Sequence, residues 1–258
     1  MSHPNWCNLP VKSYLLLPLL FLTLSPLHAE TPVAKPAAAA VVQLGNLSQW
    51  NSTGEWAMAE SISGSTTEMK WKSIKAGKAI LFNGKSGKST NIVSKATHSD
   101  VEVLVEFMIP KSSNSGIYFL DRYEVQILDS YGKADDALSH GDCGGIYERW
   151  DETIEDPKKR GYEGTAPTTN ASKAPGAWQQ LMIAFRAPRF DATGKKSENA
   201  RFVKVAHNGV VIHEDVEVTG PTRGGKAGEE AAEGHFIIQG DHGPVAIRKF
   251  QITPKNFE

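Results

Sequence analysis

Two polar side chains, Glu124 and Gln126, interrupt the apolar stretch NSGIYFLDRYEVQILDS, residues 114–130. The pattern predicts two short strands joined by a tight turn. Strand alternation puts Tyr123, Val125 and Ile127 on one face and both polar residues on the other. Side chains two positions apart on a strand are separated by about 7 Å, a spacing at which a carboxylate and an amide can bind sugar hydroxyls together. The alternative is a solvated outer face, where most strand carboxylates lie.

Asp129 follows Glu124 at an odd spacing, so alternation puts it on the opposite face unless a bulge shifts the register. With a bulge, the two carboxyl groups would approach the separation of about 5 to 5.5 Å that a retaining glycosidase needs. Asp129 also begins the sequence DSYG, where Asp and Gly are typical of a turn and the side chain would cap the backbone. Both interpretations stay open at this point.

The segment QGDHGP, residues 239–244, places an amide, a carboxylate and an imidazole between glycines, directly after an apolar run. Gly240 and Gly243 allow backbone bends that would turn Asp241 and His242 toward a cleft. An Asp next to a His can tune the imidazole for proton transfer or help bind a metal ion. A hairpin corner with incidental polar residues explains the segment equally well.

Metal and thiol chemistry have weaker support. The other histidines lack the spacing of a metal site such as H-E-x-x-H, so zinc is not indicated. Cys143 lies close to glycines and is interpreted as a small packed residue rather than a nucleophile. Among the aromatic residues near polar groups, Tyr147 and Trp150 lead into a long loop and are the better candidates for stacking on a sugar ring.

The elements that would position these residues are strands. In VEVLVEFMI, residues 101–109, apolar side chains alternate with Glu102 and Glu106, which predicts a strand with one buried face. Asn208-Gly209 lies between two β-branched runs and predicts a hairpin with a type I′ turn. Further strand patterns and the lack of a helical period favour one all-β domain of many antiparallel strands, from about Val41 to Phe257.

Two segments break the strand pattern. Residues 147–176 form a long, charged, irregular stretch, and loops of this length in a compact domain are usually functional or mobile. Residues 219–234 are rich in glycine and charge, which favours a flexible surface excursion over a site.

The start of the chain predicts export to the periplasm or the extracellular space. Residues 1–29 combine a basic Lys12, an apolar run too short to span a membrane, and LHA before Glu30, which together are typical of a cleaved signal peptide. Residues 30–40 are interpreted as a Pro/Ala-rich linker before a domain at 41–258. Cleavage would leave Cys143 as the sole cysteine, which excludes an intrachain disulfide. No later segment could span a membrane.

The charge pattern argues against nucleic acid as a partner. The formal net charge of the 258 residues is -1, with no stripe of Lys or Arg that could neutralise phosphates. Composition alone leaves the oligomeric state open.

Five segments, in this order along the chain, resemble the 3-keto-disaccharide hydrolase family: NSGIYFLDRYEVQILDSYG, GDCGGIYERW, NASKAPGAWQQLMIAFRAPRFDATGKK, RFVKVAHNGVVIHEDVEVTGPT and QGDHGPVAIRKFQITP. The resemblance implies a single-domain, concanavalin A-like jelly-roll β-sandwich. It also implies cleavage of 3-keto-glycosides, in which the keto group acidifies the hydrogen at C2 and the C1 substituent leaves by elimination. Such a site needs a base, an enolate stabiliser and a proton donor. The alternative is a non-catalytic carbohydrate-binding module, since one jelly roll serves many functions.

The resemblance also implies roles for particular residues. Glu124 and His242 would transfer protons, while Asp241 would orient His242 or help bind a divalent ion, whose presence the sequence leaves open. The predicted substrate-binding residues are Asn114, Tyr118, Gln126, Asp129, Tyr147, Trp150, Gln239 and Arg248. Because the reaction takes place on one sugar ring, we expect Glu124, Gln126, Gln239 and His242 to converge on one cleft with Tyr147 at its rim.

Overall fold

The structure, a computed structural model, describes residues 47–51 and 54–258. The predicted signal peptide and linker lie outside this part of the chain. Within it, no helix is long and apolar enough to cross a membrane.

Short 3₁₀ helices occur at Leu47–Gln49, Asp135–Ala137 and Pro157–Lys159. The strands are β1 (Trp50–Asn51), β2 (Ala57–Gly64), β3 (Trp71–Phe82), β4 (Ile92–His98), β5 (Val101–Met108), β6 (Asn114–Phe119), β7 (Tyr123–Leu128), β8 (Arg149–Trp150), β9 (Gly161–Tyr162), β10 (Gln179–Arg186), β11 (Arg189–Phe190), β12 (Lys196–Glu198), β13 (Ala200–His207), β14 (Val210–Val218), β15 (Gly234–Ile238) and β16 (Ala246–Pro254).

Two antiparallel sheets form the sandwich. One has five strands in the order β1-β4-β15-β6-β7, and the other has seven in the order β14-β13-β10-β5-β16-β3-β2. Neighbours in each sheet are mostly far apart along the chain, as expected when strands cross repeatedly from one sheet to the other. The predicted all-β jelly-roll sandwich is therefore confirmed. The long loop after residue 147 adds the small β8–β9 hairpin, and β11 pairs with β12.

The core lies between the two sheets. In β5, Val103, Val105 and Phe107 are fully buried, whereas the alternating Glu102 and Glu106 are only partly covered. This is the face predicted from the alternation of VEVLVEFMI. Burial of each such apolar side chain contributes about 1.5–3 kcal/mol, so the central strand is a major source of stability.

Two tight hairpins have turn residues with positive φ. Asn208 and Gly209 have φ values of 50° and 86°, which confirms the predicted type I′ hairpin between β13 and β14. The β6–β7 turn uses Leu120 and Asp121, with φ values of 52° and 63°, although neither is a glycine. Positive φ is unfavourable for such residues, so neighbouring structure must compensate. The Leu120 N–H donates to Nε2 of the buried His98 at 3.2 Å.

Asn83 is a buried polar anchor at the end of β3. Its Nδ2 group lies 2.9 Å from the carbonyl oxygen of Gly240, 2.7 Å from that of Gly243 and 3.0 Å from that of Gly87. Its Oδ1 atom accepts the N–H of Val245 at 3.0 Å. This one amide therefore fixes the backbone of the loop that carries Asp241 and His242.

We expect Asn83→Ala to destabilise the fold strongly, because it would leave several buried backbone groups without a partner. A loss of about 3 kcal/mol or more in the free energy of unfolding is typical of such a network. Urea unfolding measures it, with Asn51→Ala as the control. Asn51 is exposed and donates one weak bond of 3.4 Å, so its loss should change little. Equal effects of the two substitutions would contradict the anchoring role.

Candidate functional site

Strands β6 and β7 bring the polar residues of the opening stretch to the face of the five-stranded sheet that points away from the core. Tyr118 lies directly opposite Glu124, and Gly116 lies opposite Gln126, with no shift of register. Residues that face each other across an antiparallel pair lie on the same side of the sheet. On the other side of β6, the N–H of Gln239 donates to the carbonyl of Gly116 at 2.9 Å, which brings Gln239 into the same row.

Residues 144–147 extend this sheet beyond β7. Gly144 and Gly145 bond to the backbone of Gln126 at 2.8 and 2.9 Å, and the N–H of Tyr147 donates to the carbonyl of Glu124 at 3.1 Å. Tyr147 is therefore the neighbour of Glu124 across this added edge. The position of Tyr147 at the rim of a cleft stays a prediction.

Glu124 lies over a strand position that has no side chain. A Cβ atom on Gly116 would stand 1.9 Å from Oε1 of Glu124, so the carboxyl group occupies the space above that glycine. Only 2% of Glu124 is exposed, and Tyr118 is its directly opposite neighbour on β6. The sheet face is thus covered, and the alternative of a solvated outer face for Glu124 is wrong.

Burial raises the pKa of Glu124 to about 8. The hydrogen bond from Tyr118 opposes this rise, and the negative charge of Asp241 adds to it. The pKa of Tyr118 is also raised, mainly by burial and then by the adjacent Glu124. A carboxyl group with this pKa can give up or accept a proton near neutral pH, which is the property a general base or acid needs.

Asp241 and His242 form a pair beside this centre. His242 Nδ1 lies 2.6 Å from Asp241 Oδ1, and about half of each side chain is exposed. Asp241 is close enough to Glu124 and Tyr118 to raise the pKa of both. Both side chains remain accessible to water, in contrast to the buried carboxyl group of Glu124.

Two amide oxygens on this face are buried without a hydrogen-bond partner among the described residues: Oδ1 of Asn114 and Oε1 of Gln126. Asn114 lies two residues before Gly116 and therefore on the same face of β6, and Gln126 lies opposite Gly116 on β7. Both amide groups thus flank the position over which the Glu124 carboxyl group lies. A buried acceptor left without a donor costs about 1–3 kcal/mol. Hydroxyl groups of a bound ligand would satisfy both.

Residues 222–226, called the roof segment below, cross over the edge of this face. The Thr222 hydroxyl accepts the N–H of Glu124 at 3.1 Å, and the N–H of Lys226 donates to the carbonyl of Asp121 at 2.7 Å. A Cβ on Gly224 would lie 3.0 Å from the Tyr118 hydroxyl. The stretch 219–234, interpreted from sequence as a flexible excursion, therefore contributes part of the cover of the site.

Arg223, in the roof segment, is the residue that sequence reasoning missed. Its guanidinium group lies 3.7 Å from the ring centre of Trp150. The signal was present in the sequence TGPTRGG, where one arginine follows the recognised GPT and precedes two glycines. Trp150, a predicted stacking residue for a sugar ring, thus carries an arginine on its face.

Two predicted ligand-binding residues lie elsewhere. Asp129 accepts the N–H of Ser112 at 2.8 Å and pairs with Lys111 at 2.9 Å, and the unshifted register keeps it on the face opposite Glu124. This supports the capping interpretation of Asp129 and is inconsistent with a retaining pair of carboxylates. Arg248 belongs to β16 of the other sheet, where it bonds Glu106 at 2.6 Å, so it does not join the group around Glu124.

The surroundings of Cys143 disfavour chemistry at its thiol. Burial raises the pKa of Cys143 to about 12, which disfavours the thiolate that a nucleophile requires. Within residues 47–51 and 54–258, no group of three or more His, Cys, Asp or Glu side chains is arranged to hold a metal ion.

Comparison with known proteins places this geometry in context. A family model described as a 3-keto-alpha-glucoside-1,2-lyase-like domain matches residues 44–253. A crystal structure of a candidate glycosyl hydrolase from Parabacteroides distasonis ATCC 8503 is 22% identical, with a TM-score of 0.57 over 85% of this chain and 84% of that chain. A second candidate glycosyl hydrolase from the same organism is 16% identical, with a TM-score of 0.52 over 84% and 100%. At these identities the likeness shows the fold alone. No curated protein matches the chain in sequence.

We expect Gly116→Ala to displace the Glu124 carboxyl group, because the new methyl group would occupy its place. The displaced carboxyl should become more accessible to water, and its pKa should fall toward the ordinary value. Carbon-detected NMR titration of the side-chain carboxyl carbons measures the shift. An unchanged titration in a folded Gly116→Ala protein would contradict the placement of Glu124.

The raised pKa of Glu124 also predicts a pH-dependent stability. The folded state holds the proton more tightly than the unfolded chain, so stability is full below the unfolded pKa of 4.5 and declines as pH rises toward about 8. The decline in the free energy of unfolding should amount to at most about 5 kcal/mol, since one pKa unit corresponds to about 1.4 kcal/mol. Glu124→Gln should remove this decline. Urea unfolding of both proteins at pH 5 and pH 9 measures the difference. A parallel decline in the two proteins would show that Glu124 is not the group responsible.

Proposed function

The chain belongs to the 3-keto-alpha-glucoside-1,2-lyase-like family, and on this premise we propose that it cleaves 3-keto-glycosides by base-assisted elimination followed by hydration. The observation that carries the proposal is the buried Glu124 carboxyl group, with a pKa of about 8, among hydroxyl and amide groups suited to a sugar. A single carboxyl group with these properties fits proton abstraction. A displacement by Glu124 and Asp129 does not fit, because Asp129 lies on the opposite face of the sheet.

The proposed reaction has two balanced stages. In the first, a base takes the hydrogen from C2, and the electrons of that bond pass into the carbonyl at C3 as an enolate. The enolate then expels the substituent at C1, so that a C1–C2 double bond forms, the C1–O bond breaks, and the leaving oxygen receives a proton. In the second, water adds across the double bond and gives the free 3-keto sugar. The net change is hydrolysis.

Glu124 is the proposed base. Its raised pKa makes the ionised form a stronger base than an ordinary carboxylate, and its burial excludes competing water. Tyr118 holds the carboxyl group in one orientation through its hydroxyl. Because Glu124 is almost completely buried, binding of a sugar ring beside it must displace part of the cover.

The Asp241–His242 pair is the proposed proton donor to the leaving oxygen. A carboxylate 2.6 Å from an imidazole nitrogen sets the orientation of the ring. The pair is half exposed, which suits a group that must recover its proton from water after each turnover. The proposal requires the ring to reach the same sugar as Glu124, because both proton transfers take place on that sugar.

Asn114, Gln126 and Gln239 are proposed to bind the sugar hydroxyls. The unpartnered oxygens of Asn114 and Gln126 are acceptors for hydroxyl donors, and Gln239 lies in the same row of the sheet. Trp150 would contribute to the outer wall. Together these side chains would offer an uncharged sugar several hydrogen-bonding groups on one face of the sheet.

We expect purified protein to release the leaving group from a 3-keto-disaccharide and to leave the unoxidised disaccharide intact, because only the keto sugar has an acidic C2 hydrogen. The value of kcat/KM should rise with pH and level off above about 8, as Glu124 loses its proton. Glu124→Gln should lower kcat by about 10²–10⁴-fold, the usual contribution of a general base. Coupled detection of the released sugar measures these values, with and without chelator.

The matched control is Glu102→Gln, which changes a half-covered glutamate of β5 in the other sheet and should leave kcat unchanged. Equal losses for the two variants, or no turnover of the keto sugar by folded protein, would contradict the proposed reaction. Stoichiometric glycan binding that survives Glu124→Gln, without any turnover, would instead support the alternative of a carbohydrate-binding module.

A further inference from the structure

The cover of the site is closed too tightly for a sugar to bind. Glu124 and its opposite neighbour Tyr118 are each only 2% exposed, so a sugar ring has almost no surface of the carboxyl group to contact. A base must come within about 3 Å of the group whose proton it takes. Part of the cover therefore has to move before any ligand can reach Glu124.

Two loops on this face differ in how firmly they are held. The buried Asn83 side chain fixes the loop at residues 240–243 by bonds of 2.9 and 2.7 Å to the carbonyls of Gly240 and Gly243. Residues 223–228, called the tip loop below, have the sequence RGGKAG, and all of them except Gly225 are exposed. A glycine-rich, exposed segment with few buried contacts opens at low cost. The tip loop is therefore the part of the cover that is best suited to move.

The tip loop is docked by two backbone hydrogen bonds and one cation–π contact. The N–H of Arg223 donates to the carbonyl of Glu148 at 2.7 Å, and its guanidinium group lies 3.7 Å from the ring centre of Trp150. The N–H of Lys226 donates to the carbonyl of Asp121 at 2.7 Å. The loop thus reaches from the β6–β7 turn to β8 and can be released by the loss of these contacts.

Three glycines determine how the tip loop lies. A Cβ atom on Gly224 would stand 3.0 Å from the Tyr118 hydroxyl, and one on Gly225 would stand 2.3 Å from the carbonyl oxygen of Arg122. The backbone of the loop therefore covers Tyr118 directly, and a side chain at Gly225 would lift it. At the far end, Gly228 has a φ of 91° and open space around it, which suits a hinge.

The two ends of this excursion are held together by Lys196 of β12. Its Nζ group donates to the carbonyl of Thr219 at 3.0 Å and to the carboxylate of Glu230. The other oxygen of that carboxylate accepts from the hydroxyl of the buried Tyr123. Only 11% of the Glu230 side chain is exposed, so the ion pair is largely shielded from water.

Arg122 adds a second connection between the same two ends. Its carbonyl accepts the N–H of Thr222 at 2.9 Å, and its Nη2 group donates to the carbonyl of Glu229 at 2.7 Å. Residues 219–222 and 229–230, called the neck below, are therefore tied to the same two side chains and to each other. A short surface loop with a closed neck is an Ω-loop, a type that is frequently functional.

We propose that the tip loop is a lid that opens on this fixed neck and thereby admits a sugar to Glu124. Opening breaks the docking contacts with Asp121, Glu148 and Trp150 and exposes Tyr118, while the bonds of the neck remain. The motion itself is independent of the chemistry at Glu124. The statement that a 3-keto sugar enters by this route rests on the proposed function.

Hydrogen exchange in the native protein separates the tip loop from the neck. The Lys226 amide reports on the docked tip through its bond to Asp121, whereas the Thr222 amide reports on the neck through its bond to Arg122. The Glu124 amide donates to the Thr222 hydroxyl and reports on the neck as well. We expect the Lys226 amide to be protected at least about tenfold less than the other two, after correction for intrinsic rates. Equal protection of the three would overturn the proposal, because the loop would then open only together with its neck.

Gly225→Ala tests whether the tip loop covers the site, since the new methyl group would meet the Arg122 carbonyl and prevent closure. Fluorotyrosine at position 118 allows ¹⁹F NMR to measure relaxation by a soluble gadolinium chelate, with Tyr118→Phe to assign the signal. We expect a several-fold increase in this relaxation. The control is Gly194→Ala in the β11–β12 turn, where a Cβ atom would meet nothing within 4 Å. Unchanged relaxation in folded Gly225→Ala protein would overturn the proposal.

Lys196→Met tests the neck. Loss of the ammonium group would leave the shielded Glu230 carboxylate without its cation, so the Glu124 amide should exchange about tenfold faster. The matched control is Lys75→Met, because Lys75 pairs with Glu60 at 2.7 Å on the other sheet and both side chains are exposed. The control should leave Glu124 exchange unchanged. Equal Glu124 exchange in native and Lys196→Met protein would contradict a neck held by Lys196.

The admission of sugar is tested with a 3-keto-disaccharide and Glu124→Gln protein, in which turnover is suppressed. Stopped-flow fluorescence measures the association rate constant. A closed lid reduces this rate by the fraction of molecules that are open, so Gly225→Ala in the same background should raise it by about tenfold. An unchanged or lower rate would overturn the admission step. If native protein neither binds nor cleaves the keto sugar, the proposed function fails, and the exchange and relaxation measurements still decide whether the tip loop is a lid.

Discussion

The exclusion of water from the Glu124 carboxyl group is the constraint on which the geometry of the site depends. A carboxyl group can be buried at this depth only when the strand beside it leaves room, and Gly116 provides that room. It also needs a donor, which Tyr118 supplies from the position directly opposite on β6. The added edge at Tyr147 and the roof segment then close the remaining sides. Each of these features would be unfavourable or unnecessary if the carboxyl group were solvated.

Much of the fold could be predicted because its strongest signals are local. Alternation in residues 101–109 and the Asn208-Gly209 turn report on their own neighbourhood, and both are as expected. The division of β7 into an apolar and a polar face is also local, since a pleated strand has a period of two. Sequence could not show whether the polar face of β7 is covered, because its cover comes from residues 144–147 and 222–226.

Two arginines show that neighbours along the chain are poor guides to neighbours in this fold. Arg248 follows the Asp241–His242 loop closely, but the chain crosses between sheets at that loop, so β16 pairs with β5 and β3. Arg223 is the opposite case: it lies in a glycine-rich stretch that resembles a free loop, yet its guanidinium group lies over the ring of Trp150, which is distant along the chain. Proximity along the chain therefore did not predict the three-dimensional neighbours of either arginine.

Asn83 has a consequence for the order in which the molecule is assembled. The bonds from its side chain to Gly240 and Gly243 span 157 and 160 residues of chain. Contacts of such sequence separation carry a large loop-closure entropy and form slowly compared with a hairpin. The β6–β7 hairpin, with Glu124 on it, pairs residues within the one segment 114–128, whereas the Asp241–His242 loop gains its anchor only when it meets the distant end of β3. We therefore expect the two parts of the site to fold at different times. The β6–β7 hairpin with Glu124 should form first, and the loop with Asp241 and His242 should be fixed last.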